Sequence, residues 1–244
     1  MKGPLYAIRQ LPELIAKERL QYLVYAGLAV GAHGLAAIAY VSDNLVFHRI
    51  LGTMNPFKIM IPLSFMGFIL LSVQLSRGWF AILKKGTVKG VLHSAGLASI
   101  LGLIAILIDY KIVYPADMNV ALPLSLAYYP GGAFFAEIVF HLIPLTLFSI
   151  LLSSVFKNAD RGKAIWIAIL IASLSDPVFQ ILDATTNNYP LWAVLVTALH
   201  VFVVNFLMLV IYRRYDFVSM LSFRLVYYII WHVVWGNIRL SVLF

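Results

Sequence analysis

Seven apolar stretches of about 20 residues each constrain the fold of this 244-residue sequence more than any other feature. They lie near residues 20–41, 57–76, 91–113, 131–156, 164–184, 190–212 and 218–241. A helix of about 20 residues crosses the ~30 Å hydrocarbon core of a bilayer. Because backbone groups find no water there, each stretch is expected to be helical. The sequence therefore predicts an all-α, polytopic transmembrane helix bundle with about seven spans.

The composition supports an integral, multi-pass membrane protein, since 62% of the residues are hydrophobic and only 11% are charged. The net charge of +8 does not predict nucleic-acid binding, because the Lys and Arg residues cluster in short connections between apolar stretches. Membrane lipid is the expected partner. The chain has no cysteine, so a bound metal ion would need His, Asp, Glu or Asn ligands.

The distribution of cations predicts the orientation of the chain. Thirteen of the 18 Lys and Arg residues fall on the N-terminal side of the membrane when connections are assigned to alternating sides. They are Lys2, Arg9, Lys17, Arg19, Arg77, Lys84, Lys85, Lys89, Lys157, Arg161, Lys163, Arg213 and Arg214. By the positive-inside rule, the N-terminus is expected in the cytoplasm and the C-terminus outside.

Two segments outside the long stretches also predict structure. Residues 1–19 combine cations with apolar residues at near-helical spacing and are expected to form an interfacial amphipathic helix, whereas residues 20–244 form a single transmembrane domain. The apolar run at residues 119–129 is cut by Pro123 and Pro130 and is too short to cross alone. It is expected to be a re-entrant or interfacial piece.

The first candidate functional residues are Glu137 and His141 in the fourth predicted span. They lie four residues apart in an otherwise apolar run, so they share one face of a helix. An ionisable side chain at membrane depth costs roughly 2.5–3.5 kcal/mol on insertion scales. Two together indicate a function rather than a contribution to stability.

A polar stripe runs along the fifth predicted span at helical spacing. It consists of Ser173, Asp176, Gln180, Asp183 and Asn187. Pro177 removes a backbone donor, so a kink is expected beside Asp176. The emergence of the last helical turn into water explains Asp183 and Asn187 but not Asp176, which is predicted to lie about 12 Å deep.

The sixth and seventh predicted spans carry further ionisable residues. His200 shares a helix face with Thr197, whereas Asn205 is about 140° away from His200 on a helical wheel and does not clearly join that face. A second stripe comprises Arg224, Tyr228, His232, Trp235 and Arg239. Its polar side is expected to face the bundle, with Arg224 either supporting a site there or extending to the inner headgroups.

These residues coincide in depth. Five of them fall roughly 9–16 Å from the outer ends of their predicted spans, namely Glu137, His141, Asp176, His200 and His232. Structural polar residues scattered over four helices would have no reason to share one level. The coincidence predicts a common functional cavity, and the alternative is a set of unconnected hydrogen-bonded pairs.

Carboxylate and imidazole groups in such a cavity have two common uses. Glu137 can act as a general base toward a water held between it and His141, His200 and His232. Alternatively, three or four of these residues can bind a divalent metal ion such as zinc, with Asp176 orienting a ligand.

Three segments of the second half form an ordered set. They are residues 136–141 (AEIVFH), residues 179–183 with Ser175 four residues earlier, and residues 231–236 (WHVVWG). Their order resembles that of the EExxxR, FxxxH and HxxxN motifs of the CPBP family, the CAAX-processing and bacteriocin-processing intramembrane proteases also called the Abi family. The similarity covers roughly residues 125–240.

The resemblance implies an intramembrane endopeptidase that acts on a membrane-embedded peptide or a lipidated substrate. It carries over Glu137 as the water-activating carboxylate and His232 as its imidazole partner. Asn237 would replace the oxyanion-stabilising amide. Four motif positions differ from the family pattern and are occupied by Ala136, His141, Asp183 and Gly236.

The sequence thus predicts a hydrolase-like membrane protein in which His141, His200 and His232 surround Glu137, with Asp176, Asp183, Asn237 and Arg224 in supporting positions. One alternative is a proton-coupled carrier or channel that uses the same polar residues without catalysis. Another is a catalytically silent scaffold that binds a partner helix or lipid.

Overall fold

The computed structural model describes residues 11–156, 161–186 and 189–244, and in these ranges it contains helices and no strand. Seven helices are long and apolar enough to cross a membrane, which confirms the all-α polytopic bundle. These spans are Arg19–Ser42, Phe57–Ser76, Thr87–Ile112, Ser125–Val155, Gly162–Leu182, Leu191–Arg214 and Phe217–Val242. We refer to them as the first to seventh spans. Their orientation relative to the cytoplasm stays a prediction.

Short helices lie before and between the spans. Leu11–Lys17 forms a helix that contacts the first and second spans, while residues 1–10 of the predicted interfacial segment lie outside the described residues. His48–Leu51 and the 3-10 helix Ala116–Met118 lie in the connections that follow the first and third spans. Both connections are on the C-terminal side of the membrane, because an odd number of spans precedes each of them.

The prediction of a separate re-entrant or interfacial piece at residues 119–129 is wrong. The fourth span begins at Ser125 and continues through Pro130, so the second half of this run forms the first turns of a long transmembrane helix. Proline is tolerated inside transmembrane helices because neighbouring groups satisfy the backbone that it leaves unpaired. The apolar run therefore divides between an outer connection and the start of the fourth span.

Three spans depart from α-helical geometry. The fourth contains a π-helical segment at Ile138–Leu142, and the seventh contains a longer one at Ile229–Trp235. The fifth is interrupted between the helices Arg161–Ala172 and Ser175–Thr186, just before Pro177, which confirms the predicted break beside Asp176. Such irregular segments occur often at functional sites because they reorient side chains within a helix.

The seventh span is the most buried of the seven, because half of the residues in its most apolar stretch lie inside the protein. It packs against the third, fourth and sixth spans. The first span packs on the fourth, where Gly131 allows close approach: a Cβ atom there would lie 3.0 Å from the backbone nitrogen of Ala36. This arrangement places the polar stripe of the seventh span inside the bundle.

A buried ion pair ties the third span to the seventh at the C-terminal side. Arg239 donates from Nε to Asp109 Oδ2 at 2.7 Å and from Nη2 to Asp109 Oδ1 at 2.9 Å. Its other donors reach the carbonyl oxygens of Tyr114 and Pro115, so the pair also fixes the connection that follows the third span. Trp235 Nε1 donates to Asp109 Oδ2 at 2.6 Å. All polar atoms of this arginine therefore have partners.

Removal of one charge from this pair should strongly destabilise the protein. We expect Asp109→Asn to lower the free energy of unfolding by about 3–5 kcal/mol, because it leaves the guanidinium of Arg239 buried without a counter-charge. Lys111→Gln is the matched control, since it removes an exposed charge from the same end of the third span. Thermal unfolding in detergent measures both. A similar melting temperature for the two variants would contradict the prediction.

Candidate functional site

Glu137 is the last residue of the fourth span before its π-helical segment, and its side chain is completely buried. One carboxylate oxygen, Oε2, accepts a hydrogen bond from Nδ1 of His141 at 2.6 Å. The other, Oε1, accepts from Nε of Arg224 on the seventh span at 2.5 Å. The predicted contact between Glu137 and His141 is thus confirmed, and both oxygens of the carboxylate are occupied.

Arg224 is buried, with only 4% of its surface exposed. Its Nη1 donates to the hydroxyl of Tyr228 at 3.0 Å and lies 4.0 Å from Oδ2 of Asp176, and its Nη2 lies 3.3 Å from Nδ1 of His141. The alternative in which Arg224 extends to the inner headgroups is therefore wrong. The carboxylate of Glu137 holds the guanidinium inside the bundle, because a buried charge needs a close counter-charge.

Asp176 connects the fifth span to the sixth. Its Oδ1 accepts from Nε2 of Gln180 at 3.1 Å, and its Oδ2 accepts from Nδ2 of Asn205 at 3.2 Å. On a helical wheel of the sixth span, Asn205 lies away from the face that carries His200. A wheel compares residues of one helix only, so it could not predict the hydrogen bond between Asn205 and Asp176 of the fifth span.

A cavity of about 270 Å³ lies among the third to seventh spans, with Phe140 as the lining residue of the fourth. Arg49, Pro115, Met118 and Tyr189, which lie in connections on the C-terminal side, also line it, as does Arg224 on the seventh span. Most of the wall is apolar. The side chains with polar atoms that line it are those of Arg49, Tyr114, Asp176, Gln180, Tyr189, Thr197, His200, Asn205, Arg224, Tyr227, Tyr228, Trp231 and His232. An apolar cavity with a few convergent polar groups is typical of a binding site.

The two predicted histidines of the sixth and seventh spans both line this cavity. His200 Nε2 is 3.1 Å from the hydroxyl of Tyr227. His232 Nδ1 donates to the amide oxygen of Asn119 at 2.7 Å, and its ring stacks on Tyr129. Because Nδ1 of His232 carries the proton in this hydrogen bond, Nε2 of the neutral ring is left as an acceptor.

The predicted common cavity is confirmed for Asp176, His200 and His232. The prediction that Glu137 and His141 belong to the same cavity is wrong, because Arg224 and His141 bind the carboxylate of Glu137. Asp176, Arg224, His200 and His232 line the cavity, whereas Glu137 and His141 lie behind Arg224 and do not. Within the described parts of the chain, no hydrogen bond joins Glu137 to His200 or His232. In this structure Glu137 therefore acts as a positioning residue that holds Arg224 at the cavity wall.

The supporting residue Asn237 is not part of the cavity wall. Asn237 accepts from the backbone nitrogen of Leu122 at 2.9 Å and donates to the carbonyl oxygen of Val233 at 2.7 Å. Both ends of its amide are thus engaged elsewhere, and the amide fastens the connection before the fourth span to the seventh span. The structure does not describe the side chain of Asp183, and Asn187 lies outside the described residues.

The arrangement does not fit the alternative of a divalent metal site made by Glu137, His141, His200 and His232. In the parts of the chain that the structure describes, no three His, Asp or Glu side chains lie close enough together to hold a metal ion. The carboxylate oxygens of Glu137 accept hydrogen bonds from Arg224 and His141. The positive guanidinium beside this carboxylate would repel a metal cation.

The buried polar atoms of this region are not all paired. Two carboxylates, Glu137 and Asp176, accompany one guanidinium, that of Arg224. Nε2 of His141 and Oδ1 of Asn205 are buried and have no hydrogen-bond partner within the protein. Unpaired buried polar atoms are rare in proteins and indicate a bound water, ligand or proton. These atoms can therefore take an additional hydrogen-bonding group or a proton.

No protein-family model matches this sequence, and comparisons with curated proteins and with solved structures also found no match. The resemblance of the three motifs to the CPBP family consequently stays a prediction. The site itself is a cavity among membrane-spanning helices that is lined by ionisable side chains.

Proposed function

We propose that the protein is an intramembrane hydrolase-like protein, similar to the CPBP proteases, whose active site is this cavity. The convergence of ionisable side chains from three spans on one cavity, supported from a fourth span by Glu137, carries the proposal. Buried charges are costly at membrane depth, and their concentration around a space that can hold water and part of a substrate favours chemistry there. The substrate class is a membrane-embedded peptide or a lipidated segment.

The proposal assigns water activation to His232 rather than to Glu137. Nε2 of His232 is available as a base, since the proton stays on Nδ1, which donates it in a hydrogen bond to the amide oxygen of Asn119. Arg224, also on the cavity wall, is suited to stabilise negative charge that develops on a substrate carbonyl oxygen. The carboxylate of Glu137 is fully engaged, and its role is to orient Arg224.

A second candidate function is a proton-coupled carrier. Two observations favour it. Two carboxylates, Glu137 and Asp176, lie near the single guanidinium of Arg224, and Nε2 of His141 has no hydrogen-bond partner. One of these groups could therefore bind an additional proton. The inner half of the bundle is closed by a second polar network, in which Gln74 donates to Thr146 at 2.6 Å and accepts from the buried hydroxyl of Tyr212. A carrier would have to open this network to release its solute.

The first test of the hydrolase is His232→Ala. We expect this change to reduce the cleavage rate by about 10²–10⁴-fold, the usual contribution of a positioned general base. The assay follows quenched fluorescent peptides with membrane-spanning sequences in proteoliposomes. His93→Ala is the matched control, because His93 is an exposed imidazole on the third span, bonded only to a carbonyl oxygen of its own helix. Equal loss in both variants, or no loss in either, would overturn the assignment.

A double-mutant cycle separates the two roles considered for Glu137. If Glu137 acts only by orienting Arg224, Glu137→Gln and Arg224→Gln should reduce cleavage to a similar extent, and the double variant should show little further loss. If Glu137 activates water itself, the two losses should be largely independent and should combine. The measurement is the cleavage rate of the four proteins, after their melting temperatures have been compared to exclude unfolded samples.

Proton flux in the same proteoliposomes tests the second candidate. With a pH-sensitive dye inside the vesicles, the carrier predicts solute-dependent acidification that Asp176→Asn abolishes, because the change removes the carboxylate that lines the cavity. Gln21→Ala is a control outside the cavity, on the N-terminal half of the first span. Absence of flux in the wild-type protein across a panel of amino acids and short peptides would count against the carrier.

A further inference from the structure

We propose that the surface at Arg213 and Trp166, where the sixth span ends and the fifth begins, binds the phosphate of an anionic phospholipid. Its principal residue is Arg213, in the last turn of the sixth span. This surface lies away from the cavity, at the end of the bundle that the cation distribution places in the cytoplasmic leaflet. The proposal is independent of the hydrolase and carrier hypotheses.

The environment of Arg213 indicates a missing acceptor. Its guanidinium lies 4.2 Å from the ring centroid of Trp166, near the start of the fifth span. Its Nη1 atom is buried and has no hydrogen-bond partner within the protein. A guanidinium N–H that has lost water without gaining an acceptor is costly, and the cost is removed by an oxygen atom from a ligand.

The positive charge at Arg213 favours an anionic ligand. In the described part of the chain neither Arg213 nor its neighbour Arg214 forms an ion pair with a carboxylate. Arg214 is exposed, with its guanidinium 5.5 Å from the ring of Tyr215. Arginine binds phosphate through several donors in a planar fork, and stacking on an aromatic ring orders that fork in advance.

The surface next to Arg213 favours a lipid over a free phosphate ion. Four apolar side chains at intervals of four residues are exposed along the outside of the fifth span, from its first helix through the interruption into its second helix. They are Trp166, Leu170, Leu174 and Val178, which are 44%, 49%, 46% and 52% exposed. A phospholipid with its phosphate at Arg213 would place its acyl chains along these side chains. Inorganic phosphate cannot use these contacts.

These apolar side chains also reach the neighbourhood of the cavity. Phe179, the residue after Val178, is exposed and lines the cavity. The chains of a lipid held at Arg213 would therefore extend toward the outer surface of the cavity wall.

Native mass spectrometry and thermal unfolding test the site. The purified protein is titrated in detergent with phosphatidylglycerol, which is anionic, or phosphatidylcholine, which is zwitterionic. We expect the wild-type protein to retain phosphatidylglycerol and to melt at a higher temperature with it. Arg213→Gln should weaken this binding about tenfold or more, since it removes charge-assisted hydrogen bonds.

Arg214→Gln is the matched control, because it removes the same charge from the adjacent, exposed position. It should retain phosphatidylglycerol almost as the wild-type protein does. Trp166→Leu should weaken binding to a smaller extent, since it removes the aromatic platform and keeps the charge. Equal retention by Arg213→Gln and Arg214→Gln, or equal loss in both, would overturn the proposal.

Two further measurements complete the test. Inorganic phosphate at the same concentration should leave the melting temperature unchanged, and a shift equal to that with phosphatidylglycerol would overturn the lipid assignment. If Arg213→Gln does not fold, Arg213→Lys replaces it: the charge stays but the planar fork is lost, so retention should fall between wild type and background. Retention equal to wild type would then count against the proposed contact.

Discussion

The ion pair between Glu137 and Arg224 is the interaction on which the site depends. In the interior of a membrane protein either charge alone would cost several kcal/mol, so the two side chains stabilise each other only while the fourth and seventh spans stay in register. The carboxylate is saturated by Arg224 and His141, and the guanidinium extends from it to Tyr228 and toward Asp176. The ion pair thus offsets the cost of two buried charges and fixes Arg224 in the wall of the cavity.

The backbone supports the same arrangement. Both spans that supply the pair contain π-helical segments next to it, and the fifth span is interrupted just before Asp176. Irregular backbone inside a membrane is tolerated where protein or a polar cavity surrounds it, which is the situation here. Toward the C-terminal side, the pair of Asp109 and Arg239 fixes a connection that lines the cavity, and on the inner side the Gln74 network closes the bundle. Buried polar interactions therefore connect the spans on both sides of the cavity.

Sequence reasoning located the region of the site but not its internal order. The depth of Asp176, His200 and His232 followed from helical rise and from the ends of apolar stretches, and all three line one cavity. Asn205 was set aside because it lies far from His200 on its own helix, and Asp109 was not recognised because a single acid near a span end looks like a solvated residue. Each of them forms a buried contact with another span: Asn205 with Asp176, and Asp109 with Arg239. The motif resemblance placed Glu137 at the water, whereas the tertiary structure places Arg224 between Glu137 and the cavity.

The sequence by itself determined that the chain is an all-α protein with seven helices able to span a membrane, and it predicted a common depth for the ionisable residues. Hydrophobicity and helical rise are properties of each segment alone, so they need no knowledge of the neighbouring helices. Only the tertiary structure decided which charges pair, which histidines face the cavity and where the helices become π-helical. Those outcomes depend on how the helices rotate and pack against one another, and the free energy of a buried charge is set by the partner that another span brings within about 3 Å.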